Sequence, residues 1–324
     1  MGTVLVTGGK GFLGQHIVKK FTEYGEDVRI FARPNGHSNS NEKNVVWGDI
    51  RDYDAVERAV DGVDSVVHLV SNFRHGGSDK HEAYDINVVG TENVLNASLK
   101  KGVKRIVHCS TIGVHGDVKE IPATEKTPFN PGDLYQETKL TAEQKVWDFY
   151  QKTGLPIAVV RPISLFGPGD ERMLKLFRMI KKGRFIMFGA GDAYFQPAYI
   201  DDVVRGFHMC LTDEAAIGEA FIIGSEEYLP LRNLVQVIAE ELKVPPPKIK
   251  LPLTPALWMA SVCEQVCVPF GVEPPIHRRR MSFYQNNRAF SIDKAKTVLG
   301  YKPEISLREA TRRTIRWYEA EGWL

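Results

Sequence analysis

Tyr135 and Lys139 stand four residues apart in Leu134-Tyr135-Gln136-Glu137-Thr138-Lys139, and in a helix both would lie on one face. An ammonium beside a phenol favours the phenolate, so such a pair can exchange a proton with a substrate hydroxyl near neutral pH. Pro131-Gly132-Asp133 reads as the helix start, and Leu140, Val146 and Phe149 continue its apolar side. Alone, the Tyr-x-x-x-Lys pattern is common on helix surfaces. A second chemical feature is Ser110-Thr111, directly after the strand-like run Arg105–Cys109. A hydroxyl just past the C-terminal end of a parallel strand sits where open α/β sheets bind ligands, and either residue could hydrogen-bond a reacting oxygen. The alternative is that both cap the next turn.

These groups need a scaffold, and the first residues supply its start. Val4-Leu5-Val6-Thr7 is a buried-strand pattern that stops in Gly8-Gly9-Lys10-Gly11-Phe12-Leu13-Gly14 before a helical repeat at Leu13, Ile17 and Phe21. Glycines at 8, 11 and 14 fit G-x-x-G-x-x-G: Gly8 for the tight turn, Gly11 for close approach of a pyrophosphate, Gly14 for helix packing. A helix N-terminus there offers unpaired N–H groups to phosphate. The pattern predicts dinucleotide binding, and an oxidised nicotinamide would further favour the Tyr135 phenolate.

Short Val/Ile-rich runs predict strands at Thr3–Val6, Asp27–Ala32, Val45–Trp47, Ser65–Val70, Arg105–Cys109 and Ile157–Arg161. Helical stripes lie between them, which implies a doubly wound α/β parallel sheet. After the turn-rich Phe166-Gly167-Pro168-Gly169-Asp170 strands become rare. Ala198–Ile200 and Ala220–Ile223 are expected to return to the sheet, and Leu231–Leu242 to form an amphipathic helix ended by Pro245-Pro246-Pro247. Ser306-Leu307-Arg308-Glu309 is a capping-box pattern for a final helix. The expected division is a dinucleotide-binding domain over 1–163, with 197–224 returning to it, and a smaller, mostly helical substrate-binding region over 164–324.

The 324 residues are 43% hydrophobic and 25% charged with a net charge of +2, so no global basic field recruits nucleic acid. Four scattered cysteines (Cys109, Cys210, Cys263, Cys267) match no zinc spacing and suggest buried thiols in a reducing compartment. No leader pattern opens the chain and no apolar run is long enough to span a membrane, so a cytoplasmic location is expected. The nine histidines, His68, His75, His81, His108 and His115 among them, form no metal-ligand helix pattern, so no metal is expected.

Together these motifs closely resemble the extended short-chain dehydrogenase/reductase family, which includes nucleotide-sugar epimerases and dehydratases and the 3β-hydroxysteroid dehydrogenases. The likeness extends to Gly48-Asp49, His68-Leu69-Val70-Ser71, Asn87-Val88-Val89-Gly90-Thr91, Arg161-Pro162, Phe166-Gly167-Pro168-Gly169, Tyr199-Ile200-Asp201-Asp202-Val203 and Leu299-Gly300-Tyr301-Lys302-Pro303, so it covers essentially the whole chain. The resemblance implies a Rossmann-type fold with Tyr135 as general acid/base, Lys139 on the nicotinamide ribose and Thr111, ranked above Ser110, as the catalytic hydroxyl. It also implies cofactor binding by Gly8, Gly11, Phe12, Leu13, Gly14, Arg33, Asp49, Ile50, Leu69, Pro162 and Ile163, and a homodimer.

In this fold an acid ending the second strand holds the 2′-hydroxyl of NAD, whereas an Arg accommodates the phosphate of NADP. Here the strand ends Phe31-Ala32-Arg33, which predicts NADP, with NAD as the alternative. Sugar-nucleotide members often carry an Arg before Tyr-Ile-Asp-Asp, where this chain has Phe195-Gln196-Pro197-Ala198. The departure favours a small hydrophobic, sterol-like substrate, as does the apolar stretch Leu257-Trp258-Met259-Ala260 with Val262, Val266 and Val268, an apolar pocket or a peripheral membrane contact. His277-Arg278-Arg279-Arg280 could meet a diphosphate or lipid headgroups. A nucleotide-sugar epimerase, dehydratase or reductase is the second expectation, and a non-catalytic cofactor sensor the third.

Overall fold

The computed structural model describes residues 2–34, 42–73, 80–267 and 278–324. His75, Val268 and His277 fall outside them, as do the side chains of Arg278, Arg279 and Arg280.

In chain order the elements of the first half are β1 (Thr3–Thr7), α1 (Phe12–Glu23), β2 (Asp27–Ala32), β3 (Val45–Trp47), α2 (Tyr53–Val60), β4 (Ser65–His68), α3 (Lys80–Tyr84), α4 (Gly90–Lys100), β5 (Arg105–Cys109), α5 (Leu134–Thr153) and β6 (Ile157–Pro162). Then come β7 (Ser164–Phe166), α6 (Glu171–Lys181), β8 (Met187–Phe188), β9 (Tyr194–Phe195), β10 (Pro197–Tyr199), α7 (Ile200–Thr212) and β11 (Ala220–Ile223). The remainder is β12 (Leu229–Pro230), α8 (Leu231–Glu241), β13 (Lys250–Leu251), α9 (Leu253–Cys267), α10 (Arg278–Gln285), α11 (Asp293–Leu299) and α12 (Leu307–Ala320).

Among the described residues, seven strands form one sheet in the order β11-β6-β5-β4-β1-β2-β3, every neighbour parallel. Such strands are covered by helices on both faces, and so their Val and Ile runs do not alternate with polar residues: Leu5, Val66, Val67, Val107, Val159 and Val160 are fully buried. One core layer gathers Phe31, Val56, Leu95 and Val159, the other Ile17, Val107, Phe177 and Phe207. The strand order reverses between β1 and β4, which opens a crevice at the carboxyl ends of the strands.

Several local expectations change. The fourth strand ends at His68 rather than Val70. Ala220–Ile223 joins the main sheet beside β6, but the strand near Ala198 is Pro197–Tyr199 and pairs with β7 in a separate ribbon. The chain leaves the main sheet after Pro162, and Ile200 already begins α7. Helix α8 stops at Glu241, ahead of the prolines, because Lys243 turns left-handed (φ 57°). The Lys243 amide then reaches Glu240 O at 3.0 Å and the Val244 amide Ala239 O at 3.0 Å, a Schellman closure. Only half of the last capping box forms: Ser306 Oγ accepts from the Glu309 amide at 3.4 Å, whereas the Glu309 carboxylate goes to Arg312 and Arg313. Of the four thiols only Cys210 is buried; Cys109, Cys263 and Cys267 are partly exposed.

Candidate active site

A cleft of about 870 Å³ opens at the carboxyl edge of the sheet. It is lined by Gly8, Gly11, Phe12, Leu13, Gly14, Arg33, Asp49, Ile50, Leu69, Thr111, Tyr135, Pro162 and Ile163, so these sequence-predicted residues meet in one place.

The glycine turn forms the cleft's first wall. Gly8 has φ 74°, and a Cβ on Gly14 would lie 2.2 Å from Gly8 O, so the first turn of α1 packs onto the turn itself. Helix α1 begins with Gly11 as its N-cap, with no side-chain cap and no acid in its first turn. Its leading N–H groups and positive dipole end therefore suit an anion.

At the end of β2, Ala32 offers no carboxylate and Arg33 is exposed in the cleft wall. Asp49 is gripped by Arg51, with Nε donating to Oδ1 at 2.9 Å and Nη2 to Oδ2 at 2.6 Å. The Arg51 hydrogen bond holds the Asp49 carboxyl below the usual range despite partial desolvation, and Arg33 adds to the effect.

Helix α5 starts where Asp133 Oδ1 accepts from the Gln136 amide at 2.9 Å. Gln136 Oε1 accepts in return from the Gly132 amide at 2.7 Å, which steadies the turn that presents Tyr135. The Tyr135 ring stands edge-on to Phe73, centroids 4.8 Å apart. Thr111 caps the short 3-10 turn Ile112–His115, its Oγ1 accepting from the Gly113 amide at 3.0 Å, and still lines the cleft. Ser110 is buried and turned away from the cleft, donating to Glu143.

Lys139, expected on the nicotinamide ribose, is not among the residues that line the cleft: it is 2% exposed, with Nζ donating to Cys109 O at 2.6 Å. Burial pushes its pKa down, opposed by Cys109 and Glu143. Below it, His68 Nδ1 and Nε2 lie 2.7 and 3.1 Å from Thr7 Oγ1 and Thr91 Oγ1. The ring of His108 lies 5.4 Å from His68, and neither of its nitrogens has a partner among the described residues. Burial, aided by Lys139, lowers the His68 pKa to about 3 and that of His108 well below its ordinary value. His115 is buried against Arg161 and Phe129 and does not line the cleft.

Residues outside the recognised motifs complete the walls: Phe73, Arg172, Met173, Phe195, Phe283 and Arg288. Arg172 is held by Asp170 (2.8 Å) and lies over Phe12, and Arg288 Nη2 donates to Ser282 Oγ at 3.1 Å. No local spacing marks them, because loops, the strand β9 and helices α6 and α10, well separated in sequence, bring them together. Gln196 faces inward instead: its amide donates to Ser225 O and Phe290 O at 2.6 and 2.9 Å and accepts from the Phe290 amide at 2.7 Å.

Among the described residues no group of three His, Cys, Asp or Glu gathers to hold a metal, and no helix is long and apolar enough to cross a membrane. On α9, Trp258 is 71% exposed, and Met259, Val262 and Val266 are exposed beside it.

Residues 4–224 match the family model described as "NAD dependent epimerase/dehydratase family". The chain is 30% identical over 340 residues to the 3 beta-hydroxysteroid dehydrogenase/Delta 5-->4-isomerase of Mycobacterium tuberculosis, covering 98% of this chain and 90% of that one. It is 30% identical over 325 residues to the mouse (Mus musculus) sterol-4-alpha-carboxylate 3-dehydrogenase, decarboxylating, covering 96% and 89%. A solved structure, that of gox2253, superposes with a TM-score of 0.83 at 30% identity, covering 99% of both chains.

Proposed function

The chain belongs to the NAD dependent epimerase/dehydratase family and is an NAD(P)-dependent enzyme of the dehydrogenase/reductase or epimerase type; within that class we propose an NADP-dependent alcohol/ketone oxidoreductase for a hydrophobic, sterol-like substrate. The observation that carries this reading is the meeting of Thr111 and Tyr135 in the cleft that the glycine turn opens. The bound dinucleotide supplies the hydride acceptor or donor. The α1 N-terminus holds its pyrophosphate, and Arg33 takes the 2′-phosphate that an acid at Ala32 would have repelled. Thr111 orients the substrate oxygen, and the Tyr135 phenolate takes the hydroxyl proton as the carbon is oxidised, or returns it on reduction. Lys139 keeps positive potential beside that phenol.

The apolar walls Leu165, Met173, Phe195 and Phe283 support an apolar substrate, and the names of the two sterol-dehydrogenase relatives point the same way. The outward stripe Trp258, Val262 and Val266 on α9 would then face a membrane surface. Arg172 and Arg288 in the wall favour the second reading, a nucleotide-sugar epimerase or reductase. With a 3β-hydroxysteroid panel and NADP, Tyr135→Phe is expected to abolish turnover while cofactor titration stays normal. Unaltered turnover in that variant would rule out the assigned roles. Turnover of UDP-sugars without added oxidant, in place of steroid oxidation, would select the second reading.

A further inference from the structure

Thr111 and Tyr135 belong to different elements, and two parallel rungs join those elements. Lys139 and Glu143 follow Tyr135 on α5 at steps of four residues, so the three share one helix face. Cys109 and Ser110 directly precede Thr111 at the end of β5. The first rung runs from Lys139 Nζ to Cys109 O at 2.6 Å. The second runs from the Ser110 hydroxyl to the Glu143 carboxylate.

Glu143 is buried and is itself immobilised. Arg161 Nε donates to both of its oxygens at 3.2 Å, Arg161 Nη2 bonds it as well, and Trp147 Nε1 donates at 3.3 Å. Arg161 is locked in turn: Nη1 donates to Glu125 O at 3.2 Å and lies 3.2 Å from His115 Nε2, and the guanidinium covers Phe129 at 5.1 Å. Burial would push the Glu143 carboxyl up, but the Arg161 bonds outweigh it and keep the group ionised. The Ser110 bond is therefore charge-assisted, short and directional. Neither Ser110, Glu143 nor Arg161 lines the cleft.

We propose that Glu143 is a positioning residue for the reaction: through Ser110 it fixes where Thr111 stands relative to Tyr135. The inference rests on the roles given above to Thr111 and Tyr135. Its test uses Ser110→Ala, because replacing Glu143 would strand the buried Arg161 charge and unfold the site. With a 3β-hydroxysteroid and NADP, Ser110→Ala is expected to lower kcat by on the order of tenfold to a hundredfold, as a displaced reacting group does. KM and cofactor affinity stay unchanged, and Ser110→Thr, which keeps the hydroxyl, restores kcat. In a Thr111→Val background, Ser110→Ala adds no further loss, because the rung acts through that one residue. Wild-type kcat in Ser110→Ala, or a full additional loss on top of Thr111→Val, overturns the inference. Tyr135→Phe separates the two levels. If that variant is dead while Ser110→Ala is normal, only the positioning role fails; if it turns over, the underlying reading fails and takes the positioning role with it.

Discussion

The ammonium of Lys139 sits 2.6 Å from the main-chain oxygen of Cys109, so the cation one turn beyond Tyr135 is tied to the sheet. That bond holds a buried amine on the helix face that carries Tyr135, one turn further along α5; under the proposed mechanism its charge would favour the ionised phenol.

Lys139→Met keeps the side-chain bulk and removes the charge. It is expected to lower kcat by about a hundredfold or more, the scale of acid–base catalysis. It should also move the limb of the pH–rate profile that reports phenol ionisation to higher pH. A profile unchanged in position would separate Lys139 from Tyr135.

Arg33→Ser should raise the KM for NADP by about tenfold or more, since a hydrogen bond to a charged group is worth about 1.5–3 kcal/mol. The KM for NAD should barely move. Parallel steady-state kinetics with the two cofactors check this, and equal effects on both would assign Arg33 to the solvated surface.

Gly14→Ala would place a methyl 2.2 Å from Gly8 O and 2.7 Å from Gly9 Cα, both backbone atoms that cannot move without unmaking the turn. Cofactor binding by fluorescence titration should be lost, with a lower thermal midpoint. Normal binding would show that α1 shifts freely against the turn.

His68 and His108 stay neutral in the fold, whereas in the unfolded chain each takes up a proton near its ordinary value of 6.5. Their contribution is complete above that pH and is lost as pH falls toward about 3, the folded-state value of His68. Across that window His68 costs about 1.4 kcal/mol per pH unit, and His108 adds a cost of the same sign. Urea midpoints at pH 7 and pH 5 should show the loss, and His108→Leu should reduce it, leaving the part that belongs to His68. At pH 7 that variant should be neutral or more stable by up to about 3 kcal/mol, because it removes a buried ring with no hydrogen-bond partner among the described residues.

Lys243→Gly places the permissive residue at a left-handed position (φ 57°) and should stabilise the protein by about 0.5–1 kcal/mol in urea unfolding. A lower midpoint would mean that the Lys243 side chain makes a contact of its own.

The sheet was readable because parallel strands buried on both faces carry continuous Val and Ile runs, and because the glycine turn fixes where the alternation starts. Signals that depend on partners were less readable. Pro197–Tyr199 has strand character, but only the bend after Pro162 decides that it pairs with Ser164–Phe166. Three prolines suggested the end of α8, yet the backbone closure at Lys243 comes first. In the cleft, residues tied to a local motif were legible, whereas Phe73, Arg172, Phe283 and Arg288 were not, since only tertiary packing brings them there. Glu143 lay in plain view two turns past Tyr135, but its importance depends on Arg161 and Ser110, which no spacing connects to it.

Gly8, in the first turn, and Arg288, near the close of the chain, border the same cleft. The cleft is therefore complete only when segments 280 residues apart in the sequence are packed together. A truncated polypeptide lacking α10 and the loop after it would keep the glycine turn and Tyr135 but lose the wall formed by Ser282, Phe283, Asn286 and Arg288.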